Sequence, residues 1–451
     1  MTTGRSRWCR GSHHPTTVHD DTQFISHSTA TARGWCDTAS LGSMVTDSSA
    51  ASSAWATGTR VMNGSVNVLP DGRRLTPIGV LARQAGLRVG LVTTTTITHA
   101  TPAGFVAVQP RRDDEEAIAS QYLNVVDVLL GGGRQFFDAS RRSDRKDLLS
   151  EYRAAGYHLC DTRAALLAAP ADGQILGLFD SGHLPYLIDL ERTQISERVV
   201  PTLEDMTTKA LAMLRGSPRG FLLQVEGGRV DHAAHANDAA AALRELLAFD
   251  DALGVVLDHA RQTADTLVVV TSDHGNSNPG LNGLGHEYAD STRAFESLAR
   301  FKTSSGSILQ QLGQGRDSHG RVSPAFAADV IREVCGIELP AGEAATLAPA
   351  GGGVLPSEVN RQHANASGIL AQVLGNHTGI GWTGMSHTAD LTAVLATGPG
   401  QDRFAGLRLN TETFTTLTDS LGLKFTNPSM SCREAARYGS NAFTDSLAHW
   451  L

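Results

Sequence analysis

The sequence predicts an α/β fold in which a mostly parallel sheet is covered by helices. Three observations carry this. From about Asp37 onward, helix-period segments alternate with short β-branched runs, the pattern of a parallel sheet covered by helices. Polar residues crowd the carboxyl ends of those runs, where ligands bind in open α/β sheets. And 451 residues, 41% of them apolar, suffice for one large domain or two ordinary ones around a sizeable core.

Taken in order, residues 1–36 are polar, rich in His and Thr and without periodicity, so they are expected to be loosely ordered. No apolar stretch follows Arg5, Arg7 and Arg10, so no secretory signal is read there. Strands are expected at 87–95 (LRVGLVTTT), 127–130 (DVLL), 221–225 (FLLQV), 266–271 (TLVVVT) and 392–396 (TAVLA). Helices are expected at 48–58, 78–85, 115–123, 202–214 and 238–260. The last is capped by Asn237 or Asp238 and repeats Leu243, Leu246, Leu247, Phe249, Leu253 and Leu257 at spacings suited to one buried face. Residues 340–381 are rich in Gly, Ala and Pro and read as an excursion before the last core strand. No repeat or domain linker is found.

Composition excludes some classes. Lys and Arg total 38 against 46 Asp and Glu, a net charge of −8, which argues against a nucleic-acid binder. An anionic substrate must then be held by local charge. No stretch approaches 18 consecutive apolar residues, so no membrane span is expected. Cys9, Cys36, Cys160, Cys335 and Cys432 form no CxxC pair; they suggest neither a thiolate zinc site nor a dense disulfide framework, leaving room for one or two disulfides.

The chemistry gathers at strand ends. Run 221–225 leads into Glu226, Asp231, His232 and His235, and run 266–271 into Asp273 and His274. Asp231 and His235, four apart on a helical turn, can clasp one cation while Glu226 serves a second. Two carboxylates with two imidazoles suit zinc. Any one of these residues taken singly is more often a helix cap. The set is different, because so many carboxylates with almost no Lys or Arg need cations to be gathered. Ser48 begins an Ala-rich helix whose free N–H groups and dipole favour an anion, although Asp47 or Ser48 alone would read as an N-cap. After strand 87–95 come His99 and Thr101, then Arg112, whose planar fork can grip two phosphate oxygens.

In this order, VTDSSAASSAWATG, GLVTTTTITHATPAGF, VEGGRVDHAAHANDAA, TSDHGN and SHTADLTAVLATGPG resemble the alkaline phosphatase family from about Asp37 to the C-terminal region. The resemblance implies a three-layer sandwich and hydrolysis of small phosphate monoesters through a phosphoserine on Ser48, with Arg112 orienting the phosphate. It implies a first zinc at Asp231, His235 and His387, a second at Asp273 and His274, and a magnesium at Thr101 and Glu226. His99 and His232 fall at positions around the phosphate and its water that vary across the family. His387 is chosen over His377 because it directly precedes the TAVLATGPG segment. An exported, periplasmic or extracellular homodimer is also implied.

One family element is not found: the apolar first strand ending in a Gly-Asp-Gly-Met-like turn, whose aspartate bridges the second zinc and the magnesium. The sheet is therefore expected to be one strand short, with residues 1–36 outside the family pattern and 37–451 forming the catalytic domain. On one reading the remaining ligands suffice, or Asp20, Asp21 or Asp37 substitutes. On the other, the chain is an inactive remnant that binds metal or phosphate. A phosphodiesterase of the same superfamily is a lesser alternative.

Overall fold

A computed structural model of the chain describes residues 31–191, 199–352 and 361–438. The strands that build the site are β1 (Ala32–Asp37), β2 (Arg88–Thr96), β3 (Val128–Gly132), β4 (Tyr157–Cys160), β5 (Gln174–Leu178), β6 (Phe221–Glu226), β7 (Val268–Thr271), β8 (Thr392–Thr397) and β9 (Gly406–Leu409). One sheet has the order β4-β5-β3-β2-β6, with every ladder parallel. The other has the order β9-β1-β8-β7, with β1 and β9 parallel and β8 antiparallel to both neighbours.

The covering helices include α1 (Ser48–Thr57), α2 (Ile78–Gln84), α3 (Ala100–Gly104), α4 (Glu115–Ala119), α5 (Leu203–Leu214), α6 (Arg229–His235) and α7 (Ala239–Gln262). Beyond them lie α8 (Ser305–Gln314), α9 (Pro324–Cys335), α10 (Ala341–Gly351) and α11 (Ala366–Thr378). Parallel neighbours need long crossovers, and the helices supply them. Met206, Ala210, Met213 and Leu214 of α5 pack with Val92, Val128 and Leu130 of β2 and β3, each large side chain contributing about 1.5–3 kcal/mol by burial.

The five expected strands and five expected helices are all present, with ends shifted by a few residues. The segment expected to be loosely ordered is corrected at its end. Residues 32–37 form β1, because the strand is paired on both edges, with β8 and with β9. Its inward positions are small: Ala32, Gly34 and Cys36 are buried while Arg33 and Trp35 point outward. Residues 1–30, with Asp20 and Asp21, lie outside the described residues. Three more strands were not anticipated. β4 and β9 are four residues long, too short for a periodic signal, and β5 is a short apolar run whose partners are remote in sequence.

The excursion at 340–381 is largely helical. Leu347 of α10 and Leu370 and Val373 of α11 join Leu312, Ile331 and Val334 in a second core; abundant Ala and Gly mask this pattern in the sequence. The expected face of α7 is also corrected. Leu246 is 40% exposed, whereas Arg244, Glu245 and Asp250 are buried. Arg244 is satisfied there by Glu191 and the carbonyls of Leu298, Ala299 and Phe301. Among the described residues Cys36, Cys160, Cys335 and Cys432 are free thiols.

Among the described residues no ladder joins β6 to β7, the strands whose C-terminal ends meet at the site. Both carry the apolar runs of buried parallel strands. Yet only Leu222 of β6 and Val268 of β7 are buried, whereas β2 and β3 are buried almost throughout.

Candidate metal centre and nucleophile

Asp47 and Ser48 open α1. Asp47 is the N-cap: its backbone is extended and Oδ1 accepts from Ala50 N at 2.9 Å, satisfying an end-of-helix donor. Its Oδ2 accepts from Ser49 Oγ at 2.7 Å, Gly64 N at 2.9 Å and Arg112 Nη1 at 3.2 Å. Ser48 follows at the first helical position and is buried. α1 can lie deep in the protein because small residues dominate it. Gly104 of α3 packs so closely on Ser52 that a Cβ there would overlap the serine, which draws Ser48 and Thr101 into one neighbourhood.

Asp231 and His235 sit four apart on α6 and receive His387 from a distant segment. Residues Gly275–Asn276 pair antiparallel with His387–Thr388, His387 opposite Asn276. The two imidazoles are oriented by carbonyls. His235 Nδ1 donates to Met385 O at 2.8 Å and His387 Nδ1 donates to Thr46 O at 2.9 Å. In the neutral rings the lone pairs are therefore both on Nε2, and these two nitrogens face each other at 3.0 Å. Asp231 adds Oδ2 at 3.6 Å from the first and Oδ1 at 3.7 Å from the second.

Two lone pairs and a carboxylate converging in this way repel unless a proton or a cation joins them. Ligand atoms around tetrahedral zinc stand about 3.3 Å apart, close to these separations, so the residues fit a divalent cation. Burial and the neighbouring His274 push His387 down to about 4, keeping it in the neutral form that binds metal. Asn276 Nδ2 donates to Asp231 Oδ1 at 2.6 Å and steadies the carboxylate.

The second set begins at the end of β7. Asp273 Oδ2 lies 3.1 Å from His274 Nε2, and the same nitrogen lies 3.1 Å from Ser48 Oγ. His274 stacks on His387 with ring centroids 3.5 Å apart, so the two sets share one wall. Burial would lower His274, but Asp273 outweighs it, with Asp231 and Asp47 adding, and raises it to about 9. For Asp231, burial is likewise outweighed by His235, His274 and His387, which hold its carboxyl well below the usual carboxylate range.

Glu226 ends β6. Its carboxylate accepts from Thr93 Oγ1 at 2.5 Å and is hydrogen bonded by Thr101. Burial nevertheless raises it to about 7, with the negative charges of Asp273 and Asp231 adding. Such a carboxylate gains from a cation beside it. Arg112 is buried rather than exposed; it reaches Asp47 through one amino nitrogen and His99 Nε2 through the other at 3.1 Å. His99 and His232 meet edge to face at 5.5 Å.

All eleven residues singled out from the sequence, Ser48, Arg112, Asp231, His235, His387, Asp273, His274, Thr101, Glu226, His99 and His232, thus fall in this region. His377 does not; it pairs with Glu343 at 2.6 Å on α11. Asp37 is not brought in either, because its Oδ1 accepts from Arg60 Nη2 at 3.1 Å and Ala39 N at 2.9 Å. The sequence reading missed Asp47 as organiser of Arg112. It also missed His183, whose ring joins those of His99 and His232. His183 follows β5, so the strand-end logic that found Glu226 and Asp273 would have found it had β5 been recognised.

Comparison with known proteins places this geometry in context. The alkaline phosphatase family model matches residues 5–423. Alkaline phosphatase 4 of Bacillus subtilis is 32% identical over 377 residues, covering 82% of this chain and 75% of that protein. Streptomycin-6-phosphate phosphatase of Streptomyces griseus is 31% identical over 426 residues, covering 84% and 79%. The crystal structure of Thermus thermophilus alkaline phosphatase superposes with a TM-score of 0.82 at 37% identity, covering 90% of this chain and 86% of that one.

Proposed function

The chain belongs to the alkaline phosphatase family of phosphomonoesterases, and from that premise we propose that it hydrolyses small phosphate monoesters through a phosphoserine at Ser48, served by two zinc ions and one magnesium. The observation that carries the proposal is the pair of imidazole lone pairs facing each other at 3.0 Å beside Asp231, joined to Ser48 through the stacked ring of His274.

Asp231, His235 and His387 would hold one cation, Asp273 and His274 a second, and Thr101 and Glu226 the magnesium. Bound there, the cations supply Lewis acidity that lowers the pKa of a hydroxyl or a water and offsets charge developing on phosphoryl oxygens. Ser48 Oγ forms a bond to phosphorus as the bond to the alcohol oxygen breaks, and the alcohol leaves with a proton. Water then cleaves the phosphoserine and regenerates the serine. The free N–H groups at the start of α1 and the guanidinium of Arg112 face the transferring group, and Asp47 keeps that guanidinium in register with Ser48. His274 is no base for Ser48 while Asp273 holds it protonated; it becomes a ligand only by losing that proton.

A second reading, a chain that binds metal or phosphate without turning over, draws on the unpaired edges of β6 and β7 among the described residues and on the charge left on Glu226 and Asp273. Divalent cations a few ångströms apart repel strongly without enough carboxylate between them. The family also supports an exported homodimer. Among the described residues no helix is long and apolar enough to cross a membrane.

The test is hydrolysis of an aryl phosphate by protein loaded with zinc and magnesium. Turnover that Ser48→Ala abolishes, with a serine-linked phosphate trapped in the parent chain, supports the catalytic reading. Folded, metal-loaded protein that binds phosphate without turnover supports the second.

A further inference from the structure

Asn237 links α6 to α7, and its backbone is left-handed, with φ at 50°. Its N–H donates to Ala234 O at 2.9 Å, and Asp238 N donates to Ala233 O at 2.8 Å, which closes the C-terminus of α6. Glycine takes such a backbone without strain, so closing the helix needs no side chain. Yet the residue is buried, only 3% exposed, and its side-chain amide nitrogen meets two carbonyls, Ala234 O at 3.0 Å and Gly384 O at 2.9 Å. Carbonyl oxygens only accept, so it is the amide nitrogen and not the oxygen that must face them.

The contact with Gly384 falls beside a ligand. Gly384 is followed by Met385, whose carbonyl accepts from His235 Nδ1 at 2.8 Å. Asn237 and His235, two residues apart, thus grip consecutive carbonyls of one segment. The same segment is tied to the ladder that carries His387, because Thr383 N donates to Ser277 O at 3.0 Å and Ser277 N donates to Ser386 O at 2.9 Å. Asn237 ties it to the end of α6, the helix of Asp231 and His235. Its amide therefore joins the two parts of the chain that supply the three donors, through atoms that no cation needs.

We propose that Asn237 is a positioning residue of this cation site. By holding the Gly384 carbonyl it keeps Met385 O on His235 Nδ1. That contact places the ring proton on Nδ1 and leaves the Nε2 lone pair toward His387 and Asp231. Without the tie the ring can carry its proton on Nε2, where it excludes a cation. The proposal rests on the metal-assisted phosphomonoesterase reading for the cation that this lone pair meets.

Asn237→Gly tests it, because glycine keeps the helix end and removes only the amide. Two measurements are made, the first without metal. In 15N-histidine NMR of the chelated chain, with His235 identified by the signals lost in His235→Gln, the parent should hold a proton on Nδ1. In Asn237→Gly a measurable fraction of the ring should be protonated on Nε2 alone. In competition for zinc with a chromogenic chelator, the equivalent that His387→Ala weakens should bind about tenfold less tightly in Asn237→Gly. Asn237→Asp, which also suits a left-handed backbone but lacks the donor, makes the NMR test should Asn237→Gly not fold. A parent ring protonated on Nε2 alone overturns the proposal whatever the variants do. So does an Asn237→Gly chain that unfolds at lower urea yet keeps the ring proton and zinc affinity of the parent, since that is a structural role only; a shifted proton with unchanged zinc affinity overturns it equally. A parent chain that binds no zinc, while the ring proton still moves in Asn237→Gly, overturns the metal reading and leaves the hold of Asn237 on His235 standing.

Discussion

Asp47→Ala is the substitution that most directly probes how the nucleophile is organised. The carboxylate accepts four hydrogen bonds, from Ala50 N, Ser49 Oγ, Gly64 N and Arg112 Nη1. Losing an N-cap of this kind costs about 1 kcal/mol. Leaving Arg112 buried without its carboxylate costs roughly 3–5 kcal/mol where no other partner compensates, and the remaining contact with His99 reduces this. Since neighbouring terms do not add, an overall loss of about 3 kcal/mol is expected. Asp47→Asn keeps the cap through Oδ1 but turns an amide N–H toward Gly64 N and Arg112, so it should cost roughly 2 kcal/mol. Urea unfolding gives the stabilities, and kcat/KM on an aryl phosphate should fall more steeply than stability does, because Arg112 loses its register with Ser48. A loss under about 1 kcal/mol for Asp47→Ala, with kcat/KM unchanged, would refute the reasoning.

Two further predictions concern the charge cluster. Without metal, Glu226 is raised from 4.5 to about 7 and His274 from 6.5 to about 9. In each case the folded chain holds its proton more tightly than the unfolded one, so the stabilisation is complete below the unfolded value and is lost as pH rises through the folded value. Below about pH 6.5 the lowered His387 and His183 oppose the loss at Glu226, so the clear signal is that of His274: chelated protein should lose on the order of 3 kcal/mol between about pH 6.5 and 9, and zinc with magnesium should flatten that slope; urea unfolding at both pH values checks this, and a level profile without metal counts against it. His387→Ala removes one of three donors at the Asp231 and His235 site, so zinc affinity there should fall by more than about tenfold. Competition with a chromogenic chelator measures it, and unchanged affinity would exclude His387 as a ligand.

The legibility of the site follows from sequence distance. Glu226, Asp231 and His235 lie within ten residues, and Asp273 and His274 are adjacent, each group directly after an apolar run. A strand end and one helical turn are local geometries, so these donors are legible in the order of residues alone. α5 was equally legible, since Thr202 and Asp205 form its capping box within four residues. β1 and β9 were not, because short strands owe their existence to pairing with residues hundreds of positions away. Leu246 was misjudged because spacing shows that a helix has one face but not what that face meets.

By itself, then, the sequence determined the α/β class, the strands whose ends carry the donors and the ligand types present, all properties of contiguous residues. The tertiary structure alone decided three other things. A short ladder brings His387 against Asn276 and turns its lone pair toward His235. Asp47 and Arg112, 65 residues apart, form one buried pair beside Ser48. The loop after an unrecognised strand brings His183 against the rings of His99 and His232. Each depends on which distant backbones lie side by side, and that is fixed by packing of the whole chain and not by any local propensity.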